Sequence, residues 1–178
     1  MMNKLKSTMY DPFLPTLLIS MHGEYVQQIL QGQKIIEYRK RFFKDSFQAF
    51  VYTTGSRGGI QLFLKCSPAI SSDAATLAKI GQVIQGDEYT EIYDYFKEKD
   101  EGCIIPIVET CEIAKVSLAQ LRSLEPAITM PQNYLFLERP EKKKIFDFLI
   151  NQSCQNKQVH DWAERFKQIQ QVVQPRSR

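Results

Sequence analysis

The order of apolar runs limits the folds open to this chain. Strand-length apolar runs, bounded by glycine, proline or polar residues, lie at residues 16–20, 34–38, 47–53, 60–67, 103–116 and 134–137. Segments with helical spacing separate them irregularly. A doubly wound parallel sheet needs a regular alternation of strand and helix, which this pattern lacks. The sequence therefore predicts an α+β fold with a small, strongly curved mixed sheet or barrel, flanked by helices.

Helical spacing marks the intervening segments. Apolar residues recur three and four positions apart from Gly23 onward, and Gly32 is well placed to end this helix because glycine accepts a left-handed backbone. Ser117 and Gln120 have the spacing of a capping box at the start of a helix over 118–123. The other predicted helical segments are residues 71–84, 87–99, 145–149 and 159–173. The polar residues 151–157 are predicted to be a connector.

The length and composition suit a single domain. The chain has 178 residues, of which 43% are hydrophobic and 24% charged, so it can bury a core without a metal or a disulfide. Residues 1–15 are predicted to be a leader that either lies over the body or is loose. Residues 16–140 form the predicted domain. Residues 141–178 are predicted to be a C-terminal helical extension packed on the same domain.

Cysteine and histidine usage argues against a metal centre. The four cysteines include no Cys-x-x-Cys pair, and the only histidines are His22 and His160. Zinc sites use clustered thiolate and imidazole ligands, so we predict no metal and no cofactor. Cys66 and Cys111 lie in strand-like runs and are predicted to be buried free thiols, which is typical of a reducing cytosol.

Charge and hydropathy set limits on the partners. The formal net charge is +3 and the pI is about 8.6, which permits a polyanionic partner without requiring one. No run approaches the ~20 apolar residues that span a bilayer. Asp11, Pro12 and Pro15 interrupt the N-terminal segment before any signal-peptide core. We expect a cytoplasmic protein with no membrane partner.

Residues 32–39 carry the first candidate site. Lys34, Glu37 and Arg39 lie within six residues of each other. In a regular strand, Lys34 would face away from Glu37 and Arg39, but a turn or bulge near Gly32 can bring all three charges to one cleft. The alternative is a solvated edge strand with a surface ion pair.

A glycine-rich loop and three aromatic or basic positions are further candidates. In the loop 55–59, backbone N–H groups can cradle an anion and Arg57 adds charge beside Ser56, although a plain turn explains the same residues. Tyr52 and Tyr95 are candidates for stacking on a base, whereas Tyr93 fits a core stripe. The candidate list also includes Arg41, from the basic run 39–41; a second basic run covers 142–144.

The residues from Leu17 to Arg39 resemble the opening of an ASCH domain, a PUA-like module. That family has a strand, a helix ending in Gly-x-Lys and a strand carrying Glu-x-Arg; Gly32, Lys34, Glu37 and Arg39 have this order and spacing. Segments 50–55, 89–95, 102–107 and 131–137 resemble later parts of the family, so the resemblance covers residues 16–138. It implies a PUA-like pseudo-barrel flanked by helices, with the loop at residues 55–59 beside the cleft.

The resemblance leaves three functions open. The first is binding of RNA or another nucleotide-containing ligand in the cleft. The second is hydrolysis of a modified nucleoside such as N4-acetylcytidine, or of RNA. Amidohydrolases of this type have a catalytic threonine three residues after the lysine, where this chain has Glu37, but a Lys34–Glu37 pair can act as acid and base on a water. The third is a protein-interaction module that uses the C-terminal helices. The oligomeric state stays open.

Overall fold

A curled mixed sheet with helices around it forms the architecture. The computed structural model describes residues 3–174. The strands are β1 (Thr16–His22), β2 (Ile36–Arg39), β3 (Phe47–Thr54), β4 (Gly59–Cys66), β5 (Ile70–Ser72), β6 (Gly102–Val116), β7 (Tyr134–Phe136) and β8 (Gln155–Val159). The helices are α1 (Leu5–Thr8), α2 (Gly23–Leu30), α3 (Ala74–Gln85), α4 (Tyr89–Phe96), α5 (Leu118–Leu124), α6 (Lys143–Ile150) and α7 (Ala163–Val173), with a 3-10 turn at Pro140–Lys142.

The long strand β6 connects the two halves of the sheet. The strand order is β2-β6-β4-β3-β1-β7, and β5 and β8 also pair with β6. The first part of β6 pairs with β2 and β5, and its second part pairs with β4 and β8. Only β1 and β3 run parallel among these pairs. The sheet curls into a half-barrel, and the predicted α+β fold is confirmed.

Both faces of the central strands are buried. Along β1, Leu18 packs in one core cluster while Leu17 and Ile19 pack in another, as alternation across a strand requires. In β3, Phe50 and Val51 divide between the same two clusters. Continuous apolar runs rather than strict alternation therefore mark these strands in the sequence.

The predicted helix ends agree with the structure at several positions. The capping box of Ser117 and Gln120 is present at the start of α5. Asp73 caps α3 by accepting a hydrogen bond from the backbone N–H of Thr76. Gly32 follows α2 with a φ of 75°, a left-handed conformation that glycine adopts without steric cost.

The N-terminal segment lies over the body. Leu5 is fully buried, and its N–H donates to the carbonyl of Gln152 over 2.8 Å. The N–H of Cys154 donates to the carbonyl of Asn3, also over 2.8 Å. These contacts join the beginning of the described chain to the segment that precedes β8.

Four local predictions were wrong. Residues 71 and 72, predicted to begin a helix, belong to strand β5, and the helix begins at Ala74. The polar connector 151–157 contains the beginning of strand β8, so residues 134–137 are not the final strand. The last helix begins at Ala163 rather than at residue 159. Tyr93, predicted to be in the core, is 39% exposed, whereas Phe96 of the same helix is fully buried and Ile92 packs partly buried beside it.

Three further predictions concern the cysteines, the membrane and the C-terminal tail. Cys66 and Cys111 are buried free thiols, as predicted. Between residues 3 and 174, no helix combines the length and the apolar character needed to cross a membrane. The basic tail that follows Pro175 lies outside the described residues.

Candidate ligand-binding cleft

A cleft of about 920 Å³ opens at the end of β1. Residues from β1, α2, β2 and α4 line it, together with the segment that links α3 to α4 and the loop around Pro131. The lining includes four carboxylates and two cations: Glu24, Glu37, Asp87, Glu91, Lys34 and Arg39. We call this space the cleft.

Glu37 links the two cations of the cleft. Its carboxylate lies 3.5 Å from Lys34 Nζ and 2.9 Å from Arg39 Nε. The side chains of Lys34, Glu37 and Arg39 are 7%, 13% and 14% exposed. Arg39 also donates from Nη2 to the carbonyl of Ser20 over 3.0 Å. The charges therefore form a nearly buried network, in which ion pairs are screened less than at a surface.

The bend after α2 brings Lys34 to the side of Glu37. Strand β2 begins only at Ile36, so Lys34 is not subject to strand alternation. The N–H of Lys34 donates to the carbonyl of Gln28 over 3.1 Å, and Gly32 has the positive φ that allows the turn. Gln85 Oε1 accepts hydrogen bonds from the N–H groups of Ile35 and Ile36, over 2.7 and 3.1 Å. These bonds fix the chain where it enters β2.

Aromatic rings surround the ammonium of Lys34. Its Nζ lies 5.2 Å from the ring centroid of Tyr25 and 5.1 Å from that of Tyr38. Both distances are within the range of cation–π attraction, which is stronger at desolvated sites. Tyr95 of α4 also lines the cleft; it is 40% exposed, and Lys40 Nζ lies 4.9 Å from its ring centroid.

A hydrogen-bond chain anchors Tyr38. Its hydroxyl donates to Asp87 Oδ2, which also accepts from Gln85 Nε2 over 2.8 Å. Burial, followed by the bond to Asp87, raises the pKa of Tyr38 well above its usual value. The phenol therefore stays protonated in the folded state and acts as a hydrogen-bond donor.

We expect the raised pKa of Tyr38 to destabilise the protein in alkali. Above the ordinary tyrosine pKa near 10, the unfolded chain releases a proton that the folded chain retains, so stability falls as pH rises. In Tyr38→Phe this contribution is removed, and the loss of stability between about pH 10 and 11 should be smaller than in the parent. Urea unfolding across this range measures the difference. An equal pH slope in both proteins would contradict the assignment.

Gly81 makes room for the Tyr38 hydroxyl. A Cβ placed at Gly81 would overlap this oxygen. We expect Gly81→Ala to lower the free energy of unfolding by about 1–3 kcal/mol, the usual cost of overpacking. Because the clash is with the hydroxyl, Gly81→Ala should cost less in a Tyr38→Phe background. A double-mutant cycle measured by urea unfolding checks this; additive effects would contradict it.

The structure brings some of the candidate residues together and leaves others outside. Lys34, Glu37, Arg39 and Tyr95 all line the cleft. Gly32, Arg41, Tyr52, Ser56 and Arg57 do not belong to its lining. Of these five, Tyr52 is buried in the core cluster on one face of the sheet, whereas Arg41, Ser56 and Arg57 are exposed.

Several lining residues were not predicted as site residues. Tyr25 and Gln28 lie three residues apart on α2 and line the cleft, whereas Val26 and Ile29 of the same helix are buried. An aromatic residue beside the polar face of an amphipathic helix was the available signal. Asp87 follows the turn after α3 and carries no signal in the sequence, because its partner Tyr38 is 49 residues away.

Comparisons with known proteins identify the fold. No family model and no curated protein match the chain. The solved structure of ASCH from Zymomonas mobilis is 21% identical with a TM-score of 0.65, over 75% of this chain and 94% of that chain. Two mutants of this bacterial protein, one tyrosine-to-phenylalanine and one serine-to-alanine, are each 19% identical over 78% of this chain and 99% of theirs, with TM-scores of 0.64 and 0.63. The chain therefore has the PUA-like fold of an ASCH domain, as its sequence predicted.

Proposed function

We propose that the protein binds RNA and holds one nucleotide unit of it in the cleft. The observation that carries this proposal is the network of Lys34, Glu37 and Arg39 inside a cleft with tyrosine walls. A desolvated cluster of charged groups in a concave site is a common feature of binding sites. The four free cysteines support the expectation of a cytosolic location.

The chemistry of the cleft suits a nucleobase. Lys34 and Arg39 offer donors to carbonyl or ring-nitrogen acceptors, and Glu37 can accept from an exocyclic amine. Tyr25 and Tyr95 are 42% and 40% exposed, so each presents ring surface on which a base can stack. Base–aromatic stacking contributes about 1–3 kcal/mol per base.

The balance of charge favours the base over the phosphate as the occupant. Four carboxylates and two cations line the cleft. A phosphate placed there would meet the acidic groups together with the cations, whereas a neutral base would not be repelled. We therefore place the base inside and the backbone outside, in contact with surface cations.

Fluorescence anisotropy with labelled RNA tests the proposal. Single-stranded RNA, hairpin RNA and DNA of equal length are titrated with the full chain at low and moderate salt. Binding should weaken as salt rises, because each phosphate contact releases counterions. An affinity that does not change with salt concentration, or no binding to any of the three probes, would contradict the proposal.

Hydrolysis is a second candidate, and the contact between Lys34 and Glu37 supports it. The two groups lie 3.5 Å apart and are nearly buried, an arrangement in which a carboxylate can accept a proton from water while an ammonium donates one. The threonine nucleophile of the amidohydrolase pattern is absent, because position 37 is a glutamate. The base of the reaction would then be Glu37.

Release of acetate from N4-acetylcytidine tests this second candidate. Turnover by the parent chain and loss of turnover in Glu37→Gln would support it. The glutamine keeps the size of the side chain but cannot take up a proton. No acetate release by the parent would remove this reaction and leave RNA binding unaffected.

A further inference from the structure

We propose that the RNA strand leaves the cleft across Thr54 and passes along the turn at residues 55–59, where Arg57 and Lys115 contact its phosphates. This inference rests on the proposed function and adds the path of the backbone. We call Arg57 and Lys115 the exit pair.

The turn continues directly from the cleft. Thr54 ends β3 and lines the cleft, where its hydroxyl lies 3.5 Å from His22 Nδ1. Arg57 follows three residues later, and three residues span at most about 11 Å of chain. An exposed cation therefore lies within a short distance of the cleft mouth.

The shape of the turn is fixed by close packing. Gly55 has a φ of 111°, and its carbonyl accepts from the N–H of Gly58 over 3.0 Å. A Cβ at Gly58 would lie 2.6 Å from the Tyr52 hydroxyl and 2.7 Å from the Thr53 carbonyl oxygen. No side chain fits at Gly58, so the backbone is held against β3 while Ser56 and Arg57 stay exposed. This tight turn presents Arg57 in a defined place.

Lys115 reaches the same turn from β6. Its aliphatic stem lies over Gly59, where a Cβ would come within 2.8 Å of Lys115 Cε. Its ammonium donates to the carbonyl of Arg57. Among residues 3–174, neither Arg57 nor Lys115 has a carboxylate oxygen within ion-pair distance. Both cations therefore remain available to an external anion.

The acidic segment at another part of the cleft rim disfavours an RNA backbone. Residues 87–101 contain seven carboxylates and two lysines, and Asp87 and Glu91 reach the cleft. Two cations near this rim already have partners: Lys44 Nζ lies 3.6 Å from Glu101, and Lys40 Nζ lies 4.9 Å from the ring centroid of Tyr95. Like charges within a Debye length of about 8–10 Å repel phosphates, so the strand is directed toward the exit pair.

The test compares two matched pairs of cations. Arg57→Gln/Lys115→Gln removes the exit pair, and Lys97→Gln/Lys99→Gln removes two lysines from the acidic rim. Each protein is titrated with a short single-stranded RNA of random sequence and with a dinucleotide, over a series of salt concentrations. Urea unfolding confirms that each variant is folded.

We expect the exit-pair variant to bind the RNA about tenfold more weakly than the parent. Its plot of log affinity against log salt should be shallower by about 1.4, since each phosphate contact on a single strand contributes about 0.7. The rim variant should retain the parent slope, and both variants should bind the dinucleotide as the parent does.

Two results would overturn the inference, and they differ in scope. If the parent binds RNA and the exit-pair variant keeps its affinity and slope, the path is wrong while the proposed function stands. If the parent binds neither RNA nor the dinucleotide, the proposed function is wrong, and the proposed path of the RNA backbone is wrong as well.

Discussion

Replacing Glu37 by alanine is expected to lower the free energy of unfolding by about 3–5 kcal/mol, the usual cost of removing one partner from a buried ion pair. The reason is that Lys34 and Arg39 would both stay nearly buried without the carboxylate that now lies between them. Two like charges would also face each other at short range. Urea unfolding at neutral pH measures the effect.

Glu24→Ala is the matched control for this experiment. Glu24 also lines the cleft, but it is exposed and lies in the first turn of α2. Its removal should cost less than about 1 kcal/mol, the size of a helix-dipole contribution. Equal free energies of unfolding for the two alanine variants would contradict the prediction. They would mean that water screens the Lys34–Glu37–Arg39 network as it screens an ion pair at the surface.

The second large effect is expected on binding. Lys34→Met should weaken RNA binding by roughly 10- to 100-fold, because a hydrogen bond from a charged donor contributes about 1.5–3 kcal/mol. Methionine keeps an unbranched side chain between the rings of Tyr25 and Tyr38 but offers no donor. Glu37 keeps its bond to Arg39 in this variant, so folding stability should change far less than in Glu37→Ala.

Lys79→Met provides the charge-matched control. Lys79 is exposed on α3, where it donates to Gln82. Lys79→Met changes the net charge by the same amount as Lys34→Met, and its RNA affinity should stay within about twofold of the parent value. Equal losses in both variants would mean that overall charge, rather than the cleft, drives binding. Anisotropy titrations at one salt concentration distinguish these outcomes.

The local part of the fold and of the site could be predicted from the sequence. Apolar runs gave most of the strands, because both faces of the central sheet are buried and few polar residues interrupt them. Lys34, Glu37 and Arg39 follow the turn at Gly32 within one short segment. Only one bend of the backbone had to be assumed to predict that their side chains lie close together. The capping box at Ser117 is likewise a property of four consecutive residues.

The long-range part could not be predicted in the same way. Strand β8 exposes most of its side chains and is held by backbone hydrogen bonds to β6, which leave no periodic signal in a polar sequence. Asp87 and Gln85 reach the site only because α3 ends beside the beginning of β2. Tyr93 was misplaced because helical spacing identifies a stripe but does not show how many of its members are covered by a neighbouring element.

The position of β2 at the end of the strand order has a consequence for the folding of the nascent chain. Within residues 3–174, β2 pairs only with β6, which lies more than sixty residues later in sequence. During synthesis, the lysine, glutamate and arginine of the cleft therefore leave the ribosome long before the strand that holds them in place. Strands β1, β3 and β4 can pair earlier, since they follow each other closely. We expect the cleft to be among the last parts of this domain to form, because non-local strand pairing requires loop closure first.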